Sequence, residues 1–428
     1  MMQDFLKKML EDSGADAWEI VDTYTEGWEF YFIRHRLDQN RVRNVEHINV
    51  TVYRKSADGS TMGQASGEIQ PSADFAEAEK QVSMLLGQTK LVKNLVYNLN
   101  TPSGAETDLR NEKTNVSLIA GDFIDTLKNI PETETEDINS YEIFVNGKTR
   151  RYMNSNGIDI TTNAPSSFIE VVVNARKDDE EIELYRSYTS GTCDRAYLTK
   201  DLTKALSYGK DRLLAEKTPD IKKSAVLFST NDAVNIYSYF VDRVNARLAY
   251  SGISNPVVGE EIIKGAAGDK ITISTVKKLT NSSRNGDFDA EGAPIKEKVL
   301  IRGNVTETII GPRQYSQYLG LEESFIPGNF VVDGGTRTDE EMRSGSVLEV
   351  VQFSDLQVDQ MTGDVAGEIR LGYLHEGNSV KIVTGGSISG NIEELAKNMY
   401  FSKSQTQYDN WRIPSLTRIE GMQIAAAQ

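Results

Sequence analysis

The sequence predicts an α+β protein of two domains. Residues 1–218 form an N-terminal domain with helices packed on an antiparallel sheet. Residues 222–428 form a mostly β domain with a glycine-rich curved sheet and few helices. Three observations carry this expectation. The 428 residues exceed what a single hydrophobic core ordinarily serves. Between residues 141 and 188, turn signals recur roughly every ten residues, as in an antiparallel meander. After residue 222, long helical patterns become rare. The division falls at Pro219–Lys223, where polar residues and a proline separate a helical pattern from an apolar strand.

The first helix covers residues 4–14, with Phe5, Leu6, Met9 and Leu10 on one face. Its lysines lie inside the amphipathic pattern, and no long apolar core or small-residue cleavage site follows. The segment therefore reads as a helix of the mature protein, not a signal peptide. Strands at 17–24 and 28–33 are expected to meet at a Glu26-Gly27 turn. A further strand at 47–53 sets Ile48, Val50 and Val52 on one side, and Asp58-Gly59 makes the next turn. Ser72 can cap a long helix over 73–97, whose buried stripe would be Phe75, Val82, Leu85, Leu86 and Val92. A second helix is expected over 111–129.

Glu132–Asp137 has no apolar residue and reads as a solvated connection. Strands at 141–145, 149–153, 158–162, 168–174 and 182–188 follow, with turns at Asn146-Gly147 and Asn156-Gly157. A helix over 199–215 closes this half. Beyond it come a strand at 225–228, a helix over 232–248, and a helix opening at Asn391 with Ile392, Leu395 and Met399 facing inward.

Composition narrows the function classes. The net charge is −16, and the densest basic cluster is Lys148, Arg150 and Arg151. Duplex nucleic acid requires a basic face that displaces counterions, so no nucleic-acid partner is expected. No apolar run reaches the ~18 residues that span a bilayer, so no membrane partner is expected either. The single cysteine, Cys193, excludes an intramolecular disulfide and fits a reducing, cytoplasmic compartment.

Five segments carry a resemblance: Asn154–Gly157 (NSNG), the strand residues after Ser166-Ser167, Phe288–Gly292 (FDAEG) with Pro294 and Val299–Ile301, Gly385–Asn391 (GGSISGN), and Pro414–Leu416 with Ile419–Met422. Together they resemble the TldD/PmbA family, and the last segment resembles its PmbA (TldE) branch. Over the first 130 residues the likeness rests on element order alone. Active members of that family are zinc peptidases with a His-Glu-x-x-x-His helix and a cysteine ligand near the C-terminus, and some members are described as modulators of DNA gyrase. In the corresponding helix here, Ser238, Tyr239 and Arg243 fall at the His, Glu and His positions, and no cysteine follows position 193. Serine is a poor zinc ligand and arginine is a fixed cation. The resemblance thus implies no catalytic residue and no metal ligand in this chain. An Arg243 guanidinium that fills the vacant volume and pairs with a carboxylate is the expected substitute.

The remaining chemical candidates read as structural. His35 and His47 fall on neighbouring strands, where a shared metal site would need more than proximity, and His375 is expected in a hairpin loop. Asp287, Asp289 and Glu291 beside Gly292 are too few and too closely spaced for a calcium loop. A structural turn or the edge of a peptide groove is expected there, at Asp289, Glu291 and Gly292. Gly390 and Asn391 read as a capping loop, since the lysine of a phosphate loop is missing and Glu393-Glu394 would repel phosphate. Cys193 has a cation, Arg195, near it in sequence but no histidine, and reads as an ordinary small residue.

The resemblance implies a non-catalytic subunit of a metallopeptidase system that helps to bind extended peptides. Zinc is then expected only in a TldD-type partner, and the chain would pair with that partner or with itself. A peptide could add as a strand to an exposed sheet edge. Two alternatives stay open at this level. One is a self-sufficient metallopeptidase with its metal held elsewhere. The other is a structural scaffold or gyrase modulator without a peptidase role.

Overall fold

The computed structural model describes residues 2–106, 109 and 112–427. The N-terminal half contains helices α1 (Met2–Asp12), α2 (Phe75–Gln88), α3 (Val116–Lys128) and α4 (Arg195–Leu213). Its strands are β1 (Ala17–Ile33), β2 (Arg36–Lys55), β3 (Thr61–Ile69), β4 (Asn94–Leu95), β5 (Glu136–Asn154), β6 (Asp159–Lys177) and β7 (Glu180–Ser190). They form one antiparallel sheet in the order β4-β3-β2-β1-β5-β6-β7.

These strands are longer than expected. The Glu26-Gly27 and Asn146-Gly147 turns do not exist. Both pairs lie mid-strand, with Gly27 opposite Asn146 and Glu26 opposite Gly147. The glycines serve close approach: a Cβ on Gly27 would strike Asn146 Oδ1, and one on Gly147 would come 2.9 Å from Thr114 Cβ. The 158–162 and 168–174 strands are likewise one strand, β6. Asn156-Gly157 does turn, with Gly157 at φ +96°.

Alternation decides how the sheet is covered. Even-numbered positions of β1 face helices. Ile20 joins Ile48, Val50 and Val52 under α1 and α2, through Leu6, Leu10 and Val82. Phe32, Ile143, Val145 and Ile169 pack under α3 and α4, through Phe123, Leu127 and Leu202. Odd positions face the other way, where Val21, Tyr152 and Ile160 meet Phe288 of the C-terminal half.

Helix ends differ from expectation in instructive ways. Asp74, not Ser72, caps α2 by accepting the Glu77 amide, and α2 ends at Gln88 before a short 3-10 turn. Phe75 therefore lies outside the buried stripe, half exposed and stacked on Phe5 at 4.2 Å, and Val92 is exposed beyond the helix. α3 starts at Val116, where Asn115 caps it. Residue 111, the expected start, lies outside the described residues.

In the C-terminal half, β8 (Glu216–Lys217), β9 (Ile221–Phe228), α5 (Ala233–Arg243), α6 (Ala246–Tyr250), β10 (Ile273–Val276), β11 (Lys298–Arg302) and β12 (Val305–Thr306) come first. Next are α7 (Arg313–Tyr318), β13 (Asn329–Val332), α8 (Asp339–Met342), β14 (Ser346–Val358), β15 (Asp364–Glu376), β16 (Ser379–Thr384) and β17 (Ser387–Asn391). The last are α9 (Ile392–Leu395), β18 (Met399–Phe401), β19 (Gln405–Tyr408), β20 (Trp411–Pro414) and β21 (Thr417–Ala425). The expected 232–248 helix is interrupted at Val244-Asn245, where Asn245 caps α6 by accepting the Arg247 amide.

One sheet runs β12-β11-β10-β13-β20-β19. The other closes on itself: β14 pairs with both β9 and β15, so β14-β9-β21-β17-β15 make a ring. Closure leaves these five strands with neighbours on both sides, while β16 and β8 branch from the ring at β15. Ile236, Tyr237 and Phe240 of α5 are fully buried in the core shared by these two sheets. Among the described residues, no helix is long and apolar enough to cross a membrane.

Candidate functional site

The helix that would carry a metal motif is α5, which follows the buried strand β9. Its inner face is apolar, and the face bearing Asp232, Asn235, Ser238 and Asp242 is open to a cleft. That spacing of three or four residues is one side of a helix.

Neither Tyr239 nor Arg243 is available as a ligand. Tyr239 is buried, and its Oη donates to Glu393 Oε1 at 2.7 Å. Burial and that carboxylate push the phenol further above its ordinary value, so it stays protonated. The Arg243 guanidinium lies 4.6 Å over the Tyr239 ring. It donates to the Ile253 carbonyl at 3.1 Å and to the Gln360 carbonyl. The expected ion pair of Arg243 with a carboxylate is not what forms: backbone carbonyls take the guanidinium, and the carboxylate goes to the tyrosine. Zinc needs imidazole, thiolate or carboxylate donors, so these positions do not fit it. Asp242, pushed up by burial, is a carboxyl beside them on the open face.

Asn391 and Gly390 come to this same corner. Asn391 caps α9 by accepting the Glu393 amide at 3.1 Å, and its Nδ2 donates to the Thr362 carbonyl at 2.7 Å and Asp364 Oδ1 at 3.0 Å. A Cβ on Gly390 would strike Leu395. The helix that Asn391 opens is one turn long. Met399, expected on its buried face, instead lies in β18.

Asp289, Glu291 and Gly292 lie elsewhere, on the seam with the N-terminal sheet. Asp289 Oδ1 accepts the Glu291 and Ala293 amides at 2.8 and 2.9 Å, and Oδ2 accepts the Ile326 amide at 2.8 Å. Gly292, at φ +74°, has room for no Cβ because the Tyr152 ring would be 2.8 Å away. Arg150 donates to the Ala290 carbonyl and Asn100 to the Glu291 carbonyl. Burial pushes the Glu291 carboxyl up to about 7, aided by nearby Asp289 and Glu19, while the Arg313 amide opposes it.

The histidines do not meet. His35 occupies the β1–β2 turn and bonds Glu132, whereas His47 lies well along β2 and bonds Glu68. At ~3.3 Å per residue, they are on the order of 40 Å apart. His375 is not in a loop. It is a residue of β15, and its Nε2 lies 3.2 Å from Glu349 Oε2. Glu349 also receives a bidentate pair from Arg343, both bonds at 2.7 Å. Burial pushes Glu349 up, but Arg343 and His375 overcome it and hold the carboxyl at about 2. Cys193 is half-buried beside Thr126, and burial pushes its thiol up, away from the reactive thiolate. Among the described residues, no three His, Cys, Asp or Glu side chains converge as metal ligands.

A cleft of about 940 Å³ lies between the two halves, and no single motif announced it. Strand β7 forms one wall. Residues Gln352–Ser354 of β14 and the start of α5 form the other. Asn235 also lines a smaller cavity of about 320 Å³ that reaches Ser238, Tyr239 and Asp242, so the two spaces adjoin along α5. Strand β7 ends its sheet. Among the described residues, no other strand pairs with its outer edge. Tyr188, Tyr197 and Tyr408 give the cleft aromatic walls, while Arg186 and Gln352 each bury a polar side-chain atom without a hydrogen-bond partner. A free strand edge beside aromatic and polar side chains is what an extended peptide needs.

Residues 221–426 match the family model described as the PmbA/TldA metallopeptidase C-terminal domain. No curated protein matches the chain. Among solved structures, TldE from Thermococcus kodakarensis aligns at 15% identity over 99% of both chains, with a TM-score of 0.78. A proposed modulator of DNA gyrase from Thermotoga maritima aligns at 14% identity over 99% of this chain and 100% of its own, with a TM-score of 0.76. Another from Bacteroides thetaiotaomicron aligns at 15% identity over 99% and 98%, with a TM-score of 0.78.

Proposed function

The chain belongs to the TldD/PmbA family, and from that premise we propose that it is a non-catalytic, peptide-binding subunit of a metallopeptidase system. The observation that carries this reading is the α5 corner. Tyr239 and Arg243, at two of the three motif positions, are committed to Glu393 and to backbone carbonyls, while the adjoining cleft stays open. Catalysis would then reside in a histidine-bearing TldD-type subunit, which is also where zinc would bind. A likeness to a protein called TldE supports that pairing, and self-association is the alternative assembly.

In this reading the cleft holds an extended peptide as an added strand on β7. Main-chain hydrogen bonds would supply affinity with little sequence preference. Peptide binding of this kind needs no basic surface, in keeping with the net charge of −16 and against direct contact with duplex DNA. A single cysteine accords with a cytoplasmic location.

The test is metal content after equilibration with excess zinc and desalting, joined to cleavage of an unfolded substrate. Less than about a tenth of a zinc per chain, with cleavage only when a TldD-type subunit is added, is the expected result. One zinc per chain, or cleavage by the chain alone, would overturn it.

A further inference from the structure

Four arginines line the cleft, Arg186, Arg212, Arg284 and Arg370, and none forms a salt bridge among the described residues; two of them, Arg212 and Arg370, sit on elements that pack together. Arg212 lies in the last turn of α4 and Arg370 on β15, and both line the cleft. The fold brings their elements together: Tyr208 of α4 meets Tyr373 of β15 at 6.1 Å, and Tyr373 Oη donates to Asp211 at 2.5 Å. Arg212 donates to the Glu183 carbonyl of β7 at a long 3.4 Å. Neither arginine has a salt bridge among the described residues, although 63 acidic residues outnumber 47 basic ones.

The carboxylates of the cleft are already engaged. Asp201 accepts Tyr188 Oη at 2.7 Å, and Asp232 accepts Thr230 Oγ1 at 2.7 Å. Asp409 accepts the Ser283 amide and hydroxyl at 2.8 and 2.7 Å, and Glu183 accepts Asn139 Nδ2 at 3.0 Å. Arg186 has Asp232 within electrostatic range. Arg212 instead feels Arg370: burial first, then that like charge, pushes its guanidinium down. Two like charges on the wall of one cleft, each without a salt bridge among the described residues, are an unfavourable arrangement that an incoming anion would relieve. A guanidinium offers a planar fork that matches the two oxygens of a carboxylate.

We propose that Arg212 and Arg370 form a carboxylate clamp at the β7 end of the cleft, which selects extended peptides bearing an acidic side chain or a free C-terminus there. This rests on the peptide-binding reading above and adds a substrate class to it. Strand β7 holds the main chain of the peptide, and the clamp fixes its register by one anionic group.

The experiment is fluorescence anisotropy with three short, labelled, strand-forming peptides. The first has a central Glu and an amidated C-terminus, the second a central Gln and the same amide, and the third a central Gln and a free C-terminus. The chain should bind one of the two acids about tenfold more tightly than the neutral peptide, or about 1.4 kcal/mol. The acid that gains identifies the side-chain or the C-terminal source. The preference should vanish in Arg212→Gln/Arg370→Gln and persist, weakened, in Arg212→Lys/Arg370→Lys. Equal binding of all three peptides to the unaltered chain overturns the clamp and leaves the peptide cleft standing. A preference that survives the double Gln variant also overturns the clamp. Binding of none overturns both.

Discussion

The α5 corner and the β7 cleft adjoin through Asn235, yet they treat their arginines in opposite ways. At the corner, Arg243 is stacked on Tyr239 and spent on two carbonyls. In the cleft, neither Arg212 nor Arg370 forms a salt bridge among the described residues. The carboxyls repeat the contrast. Glu349, gripped by Arg343 and His375, is held at about 2, whereas partly buried Glu291 rises to about 7. A group satisfied internally supports the fold. A group left unsatisfied is either tolerated at a seam or kept for a ligand. The α5 corner, where the resemblance places a metal motif, is of the first kind here, and the proposed peptide site lies next door.

The severest way to break this comparison is Arg343→Gln, which leaves Glu349 buried without its cation. A loss of about 3–5 kcal/mol in denaturant unfolding is expected. The pH profile sharpens it. Because Glu349 is depressed below its unfolded value near 4.5, its contribution is present above that pH and is lost as pH falls toward 2. The unaltered chain should therefore lose on the order of 3 kcal/mol across that window, and Arg343→Gln should flatten the loss.

Glu291 has the opposite sign. Its folded value lies above its unfolded one, so the folded state holds the extra proton and stability rises as pH falls from about 7 to 4.5. Glu291→Gln should gain on the order of 2 kcal/mol at pH 8 and little at pH 5. Melting curves at the two pH values check it. A smaller effect belongs to Tyr239→Phe, which removes one bond to the exposed Glu393 and should cost about 1 kcal/mol. Arg212→Gln/Arg370→Gln should change stability least, within about 0.5 kcal/mol. A large loss there would show that these arginines serve the fold after all. Arg243→His should take up no stoichiometric zinc, because Tyr239 and Ser238 supply no second ligand.

Much of the fold was legible because its signals are local. Asn391 as a helix cap, the Asn156-Gly157 turn, and the β-rich second half follow from residue type and spacing over a few positions. Misreadings arose where tertiary contact overrode a local signal. Gly27 and Gly147 look like turn residues but admit close neighbours inside long strands. Ser72 is as good a cap as Asp74 until the start of α2 is fixed. His375 looked like part of the Glu-Gly-Asn turn, but the strand runs one residue beyond it. The cleft was hidden for a different reason. Arg212, Arg370 and the outer edge of β7 are far apart in sequence, and each alone resembles an ordinary solvated side chain or strand.

The most direct test of peptide binding in the cleft is hydrogen–deuterium exchange of the chain with and without a saturating extended peptide. Slowed exchange confined to β7 and the facing residues of β14 is the predicted result, since a peptide strand would bond the outward amides of Glu180–Ser190. Unchanged exchange at β7 alongside demonstrable peptide binding, or protection on another surface, would contradict it.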